Sequence, residues 1–439
     1  MVRCVLFRKE RCRVSLTLTV HAGSQSHESP LISVTVSRDA LGLVAPGAVG
    51  SDHHGAAEAG ICLLHDEDAS GGPDGILVAQ FDAHSGTLRF ILPGSVRAGS
   101  VRHLRVLGAP IASVVPPWPM SVVQKLDRVI VRAASEPFAS YITTGGRRPY
   151  FWPIIGPSGA SVVRGQGSAD HPHHTGLGIA YGGHSEGGSV NIWSDWDEPP
   201  YGPGGRMVHR GFRRVISGPV YAEVVHDLTY VDTFGDPFCE ETRTHRFWWA
   251  SEAARYIDTT SEVRWLRDRG TSPFLVALRL PSEMDIPNIG SMTNDSGTPV
   301  PPAPGAERAY PAMWVDGSGP SGEPPYPPPA GAPEVLVDQP GARPYREGPG
   351  TGPWHGVAIF DHPSNHGFPH QAGKYAGSMG TGGSGTGQIT LAFNPPEGAS
   401  EGAFTFGTRT YVHRGDAIDG RVDEQAASFR HPPEVVVGS

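Results

Sequence analysis

Short segments in which apolar and polar residues alternate run through most of the chain. Residues 13–20 (Arg-Val-Ser-Leu-Thr-Leu-Thr-Val) alternate with a period of two, and residues 31–36 and 101–107 follow the same pattern. A period of two places successive side chains on opposite faces of a strand. Turns that contain glycine or aspartate separate these segments. The pattern therefore predicts short antiparallel β-strands throughout, and an all-β fold class.

The spacing of these strands predicts two β-sandwich domains. A small N-terminal domain is expected over residues 12–115, followed by a linker over 116–128 and a larger domain over 129–432. Within the larger domain, residues 296–353 are rich in proline and glycine and are interpreted as an insertion around one short strand. The 58 glycines and 43 prolines are spread over many short segments, which is typical of a loop-rich β protein.

Charge and hydropathy exclude some classes of function. The net charge of -9, with no basic stripe, argues against a nucleic-acid partner. No apolar run reaches about 18 residues, so no membrane span is expected. The first 20 residues lack the apolar core of a signal peptide, which favours a cytoplasmic protein. The four cysteines match no zinc spacing. A protein with reduced cysteines fits this scatter best, and a single disulfide is the open alternative. The sequence does not indicate an oligomeric state.

The densest group of chemically active residues is Asp170-His171-Pro172-His173-His174. Histidine exchanges protons near neutral pH and is the commonest metal ligand in proteins. Pro172 disfavours a helical conformation at His171 and cannot donate to a sheet, so the segment is predicted to be a loop at the end of a strand. The alternative is a polar surface turn. Three imidazoles and a carboxylate in five residues favour a functional site.

Several predicted strands carry polar residues where a sandwich needs apolar ones. Glu241, Arg243 and His245 share one face of a strand, which is predicted either to be solvated or to line a ligand groove. His226 shares an apolar face, where it is either a buried histidine with its own partner or part of a site. Arg279 ends a buried strand and requires a polar or anionic partner.

From Arg148 onward the chain carries a series of short motifs in a fixed order. They are Arg148-Pro149-Tyr150-Phe151-Trp152-Pro153, Asp170-His171-Pro172-His173-His174-x-Gly176, Asn191-x-Trp193, Gly205-Arg206-x-x-His209, Glu241-x-Arg243, Arg279-x-Pro281, Trp314-Val315-Asp316, Asp361-His362-Pro363-x-Asn365 and Arg409-x-Tyr411. In these motifs the chain resembles a bacterial family that is labelled methane oxygenase PmoA. The resemblance covers roughly residues 125–432, and it implies a soluble β-sandwich protein associated with sugar breakdown. The family usually has a Trp-His-x-Arg segment soon after its second Asp-His-Pro motif; this chain lacks it, so its substrate preference is expected to differ.

A sandwich with histidine, glutamate and arginine on one sheet also resembles the galactose-mutarotase-like supersandwich, which processes sugars by general acid–base chemistry. This resemblance implies a carbohydrate or glycoside substrate and a hydrolase, lyase or epimerase reaction. The candidate acids and bases are His171, His173, His174 and His209, with Glu241 or Asp361 as the partner carboxylate. The candidate substrate-binding residues are Trp193, Arg243, Arg279, Trp314 and Tyr411, with His362 and Asn365 added by the family motif.

Two alternatives stay open at this stage. The first is a metal-dependent, oxygenase-like enzyme in which a divalent ion is held by Asp170, His171, His173 and His209. The second is a non-catalytic carbohydrate-binding protein, for which stacking aromatic side chains and polar loops would suffice. Core packing is the structural alternative for each tryptophan and tyrosine, and an ion pair is the alternative for each arginine.

Overall fold

In the computed structural model the chain divides into two compact units, Met1–Pro116 with His431–Ser439, and Pro117–Arg430. The second unit is thus inserted into the first, since the C-terminal end of the chain returns to the N-terminal unit. The structure describes residues 16–41, 59–69, 75–108, 119–165, 175–182, 190–193, 204–267, 272–281, 284, 291–295, 310–322, 351–372, 387–396 and 402–438.

The first unit is built on one antiparallel sheet of seven strands in the order β26-β1-β8-β4-β5-β6-β3, with β2 and β7 paired separately. Alternating residues of these strands, such as Leu18, Val20, Leu64 and Phe90, form one apolar core. A single 3-10 turn is described, at Asp39–Leu41. The strands are β1 (Thr17–His21), β2 (His27–Glu28), β3 (Leu31–Thr35), β4 (Ala59–Asp66), β5 (Ile76–Asp82), β6 (Thr87–Ile91), β7 (Ser95–Val96), β8 (Val101–Gly108) and β26 (Glu434–Gly438).

The second unit contains a nine-stranded antiparallel sheet in the order β20-β23-β24-β18-β13-β12-β11-β10-β9. Its strands are β9 (Met120–Gln124), β10 (Arg128–Ala133), β11 (Glu136–Ile142), β12 (Tyr150–Ile154), β13 (Leu177–Tyr181), β18 (Phe274–Arg279), β20 (Tyr310–Pro311), β23 (Gln371–Ala372) and β24 (Gln388–Phe393).

An eight-stranded antiparallel sheet, in the order β14-β15-β16-β17-β25-β22-β21-β19, completes the second unit. One α-helix is described, α1 (Val422–Arg430). The strands are β14 (Arg206–Ile216), β15 (Tyr221–Val231), β16 (Pro237–Ser251), β17 (Ala254–Trp265), β19 (Ser291–Asn294), β21 (Trp314–Pro320), β22 (Trp354–Asp361) and β25 (Ala403–Arg414).

The two large sheets pack face to face over a shared apolar core. Phe247 of the eight-stranded sheet makes edge contacts with Phe138 and Phe151 of the nine-stranded sheet, at ring-centroid distances of 6.2 and 5.8 Å. Both sheets contribute to one continuous buried cluster, which is how a sandwich buries the apolar face of each layer. The predicted all-β class with a β-sandwich is confirmed. In the described part of the chain, no helix is long and apolar enough to cross a membrane.

One segment differs from its sequence interpretation. Within the predicted linker 116–128, Met120–Gln124 forms strand β9, because its backbone pairs along β10 and Met120 is buried in the core. The linker prediction is wrong for these residues. Within the predicted insertion 296–353, the short strand expected from the sequence is Trp314–Pro320, which is fully buried in the eight-stranded sheet. Residues 296–309 and 323–350 lie outside the described residues.

Candidate functional site

The histidine motif lies on a segment whose two ends are described. Asp170, His171, His173 and His174 themselves fall within residues 166–174, outside the described residues, so their grouping stays a prediction. The backbone N–H of Gly176 donates to the carbonyl of Arg164 over 2.8 Å. The chain therefore leaves and re-enters the described structure at one hydrogen-bonded point.

The base of this segment is anchored to the end of strand β18. The N–H of Arg164 donates to the carbonyl of Arg279 over 3.0 Å, and the N–H of Arg279 donates to the carbonyl of Gly176 over 2.9 Å. Gly176 has a φ of 45°, and a β-carbon there would collide with the carbonyl oxygen of Phe151. Only glycine satisfies both constraints, which explains why the histidine motif ends in this residue.

Arg279 lies on the face of the nine-stranded sheet that points away from the eight-stranded sheet. Phe274, Val276 and Leu278 of strand β18 pack into the sandwich core, so the alternating residues occupy the opposite face. Trp193 packs on this opposite face, against Leu275 and Ala277. Arg279 is 1% exposed, and in the register of the sheet it pairs directly with Gln388 of β24.

A second buried arginine is held on the same face by Trp193. Arg148 donates from Nη1 to the Trp193 carbonyl over 2.7 Å, and its guanidinium lies 5.9 Å from the centroid of the indole ring. The α-carbon of Gly178, two residues after Gly176, lies beneath it, since a β-carbon there would be 3.5 Å from Arg148 Nε. We call Arg148, Trp193 and Arg279 the arginine face.

Glu241 and Arg243 occupy the interior of the sandwich. Arg243 donates to both carboxylate oxygens of Glu241, from Nε and Nη2 and over 2.7 Å each. The Tyr230 hydroxyl donates to Glu241 Oε2 over 2.6 Å. Burial alone would lower the pKa of Arg243, but the Glu241 carboxylate raises it well above the ordinary value. The polar strand face noted in the sequence is therefore neither solvated nor a groove, because it forms a buried ion pair.

A chain of hydrogen bonds through Tyr141 and His226 extends from this ion pair to His209. The Tyr141 oxygen lies 3.3 Å from Arg243 Nη1 and 3.0 Å from His226 Nδ1. His226 Nε2 lies 2.6 Å from Nδ1 of His209, which is half-buried. Burial and the Arg243 charge lower the pKa of His226 to about 2, and burial lowers the pKa of His209. Both imidazoles are therefore neutral at neutral pH.

His245 also lies in the interior of the sandwich, and it is neutral at neutral pH. Its Nδ1 is 2.9 Å from the Thr259 hydroxyl, and burial with the Arg243 charge lowers its pKa well below the ordinary value. A cavity lined by Tyr141, Arg243 and His245 has room for about one water molecule. This cavity is far too small for a sugar.

The second Asp-His-Pro motif braces a surface loop. Asp361, which is fully buried, accepts hydrogen bonds from Asn365 Nδ2 over 2.7 Å and from the His370 backbone over 2.8 Å. Asn365 also bonds the backbone of Gly407 in both directions. His362 packs edge-on against Phe429 of helix α1 at 5.1 Å, and burial and the Arg409 charge lower its pKa.

The remaining motif residues lie beneath helix α1, on the outer face of the eight-stranded sheet. Trp314 Nε1 donates to Asp423 Oδ1 over 2.9 Å, and the Tyr411 hydroxyl donates to the Gly420 carbonyl over 2.9 Å. Tyr411 also stacks on Tyr256 at 4.9 Å. This arrangement supports the core-packing alternative for both Trp314 and Tyr411, since α1 and the turn before it cover them.

The motif residues thus separate into four places. They are the arginine face, the sheet face under α1, the core network and the Asp361 brace. The core network consists of Tyr141, His209, His226, Glu241 and Arg243. The Asp361 brace consists of Asp361, Asn365 and His370.

Sequence reasoning overlooked Tyr141. A tyrosine on a core face needs a partner for its hydroxyl, and this was the available signal. It also overlooked His370, whose Nδ1 lies 2.9 Å from Asp361. In the described ranges, no three His, Cys, Asp or Glu side chains gather as metal ligands.

Comparison with protein families places most of the second unit in one family. A family model described as a family of unknown function, DUF6807, matches residues 128–427. The chain belongs to this family. The description carries no activity, so DUF6807 membership leaves the resemblance to the PmoA-labelled family as a prediction. No curated protein matches the chain.

Two solved structures from Enterococcus faecalis are similar to the whole chain at 9% identity. One is an alpha-mannosidase from strain V583, with a TM-score of 0.45 over 97% of this chain and 46% of that one. The other is described as a protein in glycosyl hydrolase family 38, with a TM-score of 0.41 over 97% and 48%. This chain spans about half of the length of each. Similarity at this level carries no argument about function.

Proposed function

We propose that the second unit is a carbohydrate-processing enzyme whose substrate binds at the arginine face. The observation that carries this proposal is the position of Arg148 and Arg279 on one sheet face, beside the closed base of the segment that bears the histidine motif. Guanidinium groups bind pairs of hydroxyls or a carboxylate in bidentate fashion. Trp193 is buried against the sheet, and it orients Arg148 through its carbonyl and its ring.

The acid–base groups in this proposal are His171, His173 and His174, which follow from the sequence motif. One imidazolium would protonate the oxygen that leaves, and one neutral imidazole would accept a proton from water or from a sugar hydroxyl or C–H group. Glu241 and Asp361 have no part in it, because each carboxylate is buried and bonded within its own network. Hydrolysis, elimination and epimerisation are kept together as one class.

The test is a screen of the purified full-length protein against glycosides, uronides and unmodified sugars. Turnover of at least one class is expected. Arg148→Lys keeps the charge but loses the planar fork, so kcat/KM should fall by about tenfold or more. Arg213→Lys is the matched control, since Arg213 pairs with Asp227 on the exposed side of the other sheet. Inertness across the panel, or equal kcat/KM in both variants, would contradict the proposal.

A second variant separates catalysis from binding. His173→Ala should abolish turnover and leave the affinity for the same sugar nearly unchanged, because a general acid or base contributes about 100-fold or more to rate but little to binding. Loss of affinity, with no turnover by the parent protein, would instead indicate a carbohydrate-binding protein. Metal analysis of the purified protein, with activity measured in chelator, tests the metal-dependent alternative.

A further inference from the structure

The hydrogen-bond chain that ends at His209 has one direction in which every described donor meets a described acceptor. A guanidinium has donors and no acceptor, so at 3.3 Å from Arg243 Nη1 the Tyr141 oxygen must accept. The Tyr141 proton then needs an acceptor of its own. Among the described atoms, His226 Nδ1 at 3.0 Å is the group within reach. The first two links are therefore fixed: Arg243 donates to Tyr141, and Tyr141 donates to His226.

The second half of the chain follows from the neutrality of His226. A neutral imidazole carries one proton, and Nδ1 is already an acceptor, so the proton lies on Nε2. His226 Nε2 is 2.6 Å from His209 Nδ1, and it must donate there. His209 Nδ1 is consequently an acceptor, and neutral His209 carries its own proton on Nε2.

The reverse arrangement would leave buried groups unsatisfied. If His226 carried its proton on Nδ1, the Tyr141 hydroxyl would have no acceptor in the described structure, although Tyr141 is only 1% exposed. If His209 became an imidazolium, two N–H groups would face each other across 2.6 Å. The charged groups Glu241 and Arg243, in the interior of the sandwich, are paired with each other and do not offer His209 a counter-charge.

We propose that Tyr141 and His226 are positioning residues that hold His209 as the neutral imidazole with its proton on Nε2, so that a substrate group at His209 meets a hydrogen-bond donor and not a base. The tautomer follows from the described contacts together with the neutrality of both imidazoles. Its use by substrate rests on the proposed function. The start of strand β14 adjoins the segment that carries Arg148, because Met207, two residues before His209, donates its N–H to the carbonyl of Arg147 over 2.7 Å.

The tautomer is tested by nitrogen NMR on full-length protein labelled with ¹⁵N-histidine. The His209 resonances are identified by their loss in His209→Gln. At neutral pH the expected spectrum shows a protonated Nε2 and an unprotonated Nδ1 for His209, and the same for His226. A proton on Nδ1 of His209, or an imidazolium at neutral pH, would overturn the proposal. This measurement needs no substrate, and the tautomer is determined in the parent protein.

Removal of one hydroxyl tests the positioning role. In Tyr141→Phe, His226 is no longer compelled to accept at Nδ1, so His209 should gain the second tautomer and titrate closer to the ordinary histidine pKa. Tyr256→Phe is the matched control, since the buried Tyr256 hydroxyl donates to Gln425 on the other face of the sheet. It should leave the His209 resonances unchanged. An unchanged His209 in Tyr141→Phe would refute the positioning role.

Turnover, once a substrate is found, separates donor from base. Glutamine at position 209 retains an N–H near the position of Nε2 but cannot accept a proton, whereas leucine retains neither. His209→Gln should stay within about tenfold of the parent kcat/KM, and His209→Leu should fall by about 100-fold. Equal losses in both variants would show a base and contradict the donor role. Failure to find any substrate would contradict the proposed function and leave the NMR result standing.

Discussion

At the scale of single residues, Glu241 and Arg243 show how charge is accommodated inside a β-sandwich. Both side chains are at most 1% exposed, and their ends meet in two parallel hydrogen bonds. Tyr141 and Tyr230 complete the contacts of the pair. A buried pair of this kind is costly to break, since one partner alone leaves an uncompensated charge in the core.

Glu241→Gln should therefore destabilise the second unit by about 3–5 kcal/mol, because it removes the carboxylate charge and leaves the Arg243 guanidinium buried. The double variant Glu241→Leu/Arg243→Met should be far less damaging, since both charges disappear together. Urea unfolding measures the difference. Arg213→Ala, in a pair that is 61% exposed on the arginine side, should cost no more than about 1 kcal/mol. A similar cost for Glu241→Gln and Arg213→Ala would contradict this account.

A second prediction at this scale concerns the Asp361 brace. Asp361→Asn replaces an acceptor oxygen with a donor that faces the Asn365 amide or the His370 N–H, so we expect a loss of about 1–3 kcal/mol. Hydrogen exchange should accelerate over residues 362–370 and little elsewhere. Asp236→Asn, in an exposed pair with Arg267, is the control. Unchanged exchange in the loop would show that Asp361 does not hold it.

At the scale of elements, the C-terminal strand completes a sheet that begins at the other end of the chain. Strand β26 pairs with β1 along its whole length, from Thr17 with Gly438 to His21 with Glu434. It is the edge strand of the seven-stranded sheet. Val435 packs against the apolar core, whereas Val436 is 56% exposed. The strand therefore contributes mainly backbone hydrogen bonds and protects the edge of β1.

Deletion of residues 434–438 should expose the edge of β1, and an unpaired edge strand is a site of association. Faster amide exchange at Thr17–His21 and concentration-dependent self-association in light scattering are expected. Two point variants refine the test: Val435→Lys should destabilise the first unit, and Val436→Lys should not. Unaltered exchange in β1 after the deletion would contradict a protective role for β26.

At the scale of the whole molecule, three neutral buried histidines make the second unit sensitive to acid. Burial is the first cause in each case, and it lowers the pKa of His226 to about 2, that of His355 to about 3 and that of His245 well below the ordinary value. In the unfolded chain these histidines titrate near 6.5. Between pH 6.5 and about 3 the unfolded state binds more protons, so the free energy of unfolding falls as pH falls.

Each such histidine contributes up to about 1.4 kcal/mol per pH unit below 6.5, and three contribute up to about 4 kcal/mol per unit. Urea midpoints at pH 7.5, 6.5 and 5.5 should therefore fall little over the first interval and steeply over the second. In His245→Gln the steep interval should lose about one third of its slope. A midpoint that is constant or rises on acidification would contradict the neutral state of these histidines.

The division into units gives a further prediction at this scale. Residues 117–430 contain both large sheets and their shared core, so this segment expressed alone should unfold cooperatively in urea. Residues 1–116 alone lack β26 and should need residues 431–439, supplied as a peptide, to reach the same amide protection in β1. Equal protection without the peptide would show that the first unit does not depend on the C-terminal strand.

The sequence by itself determined the all-β class, because period-two alternation is a local property that each strand carries in its own residues. It also singled out Glu241, Arg243 and Arg279, since charges in predicted sandwich strands stand out without coordinates. It did not show that these residues serve different purposes. Some of their partners are distant in sequence, such as Tyr141 for Arg243 and the backbone of Arg164 for Arg279.

Only the tertiary structure decided which face of the sandwich each motif serves. A one-residue step along β18 separates Leu278 in the core from Arg279 on the arginine face, and the apolar pattern alone cannot tell which sheet a face will meet. The amino-acid sequence could not give the tautomer of His209 either, because it depends on Arg243, Tyr141 and His226, which lie on three different strands. Chemistry that depends on the direction of hydrogen bonds is a property of packing, whereas strand formation is a property of the local chain.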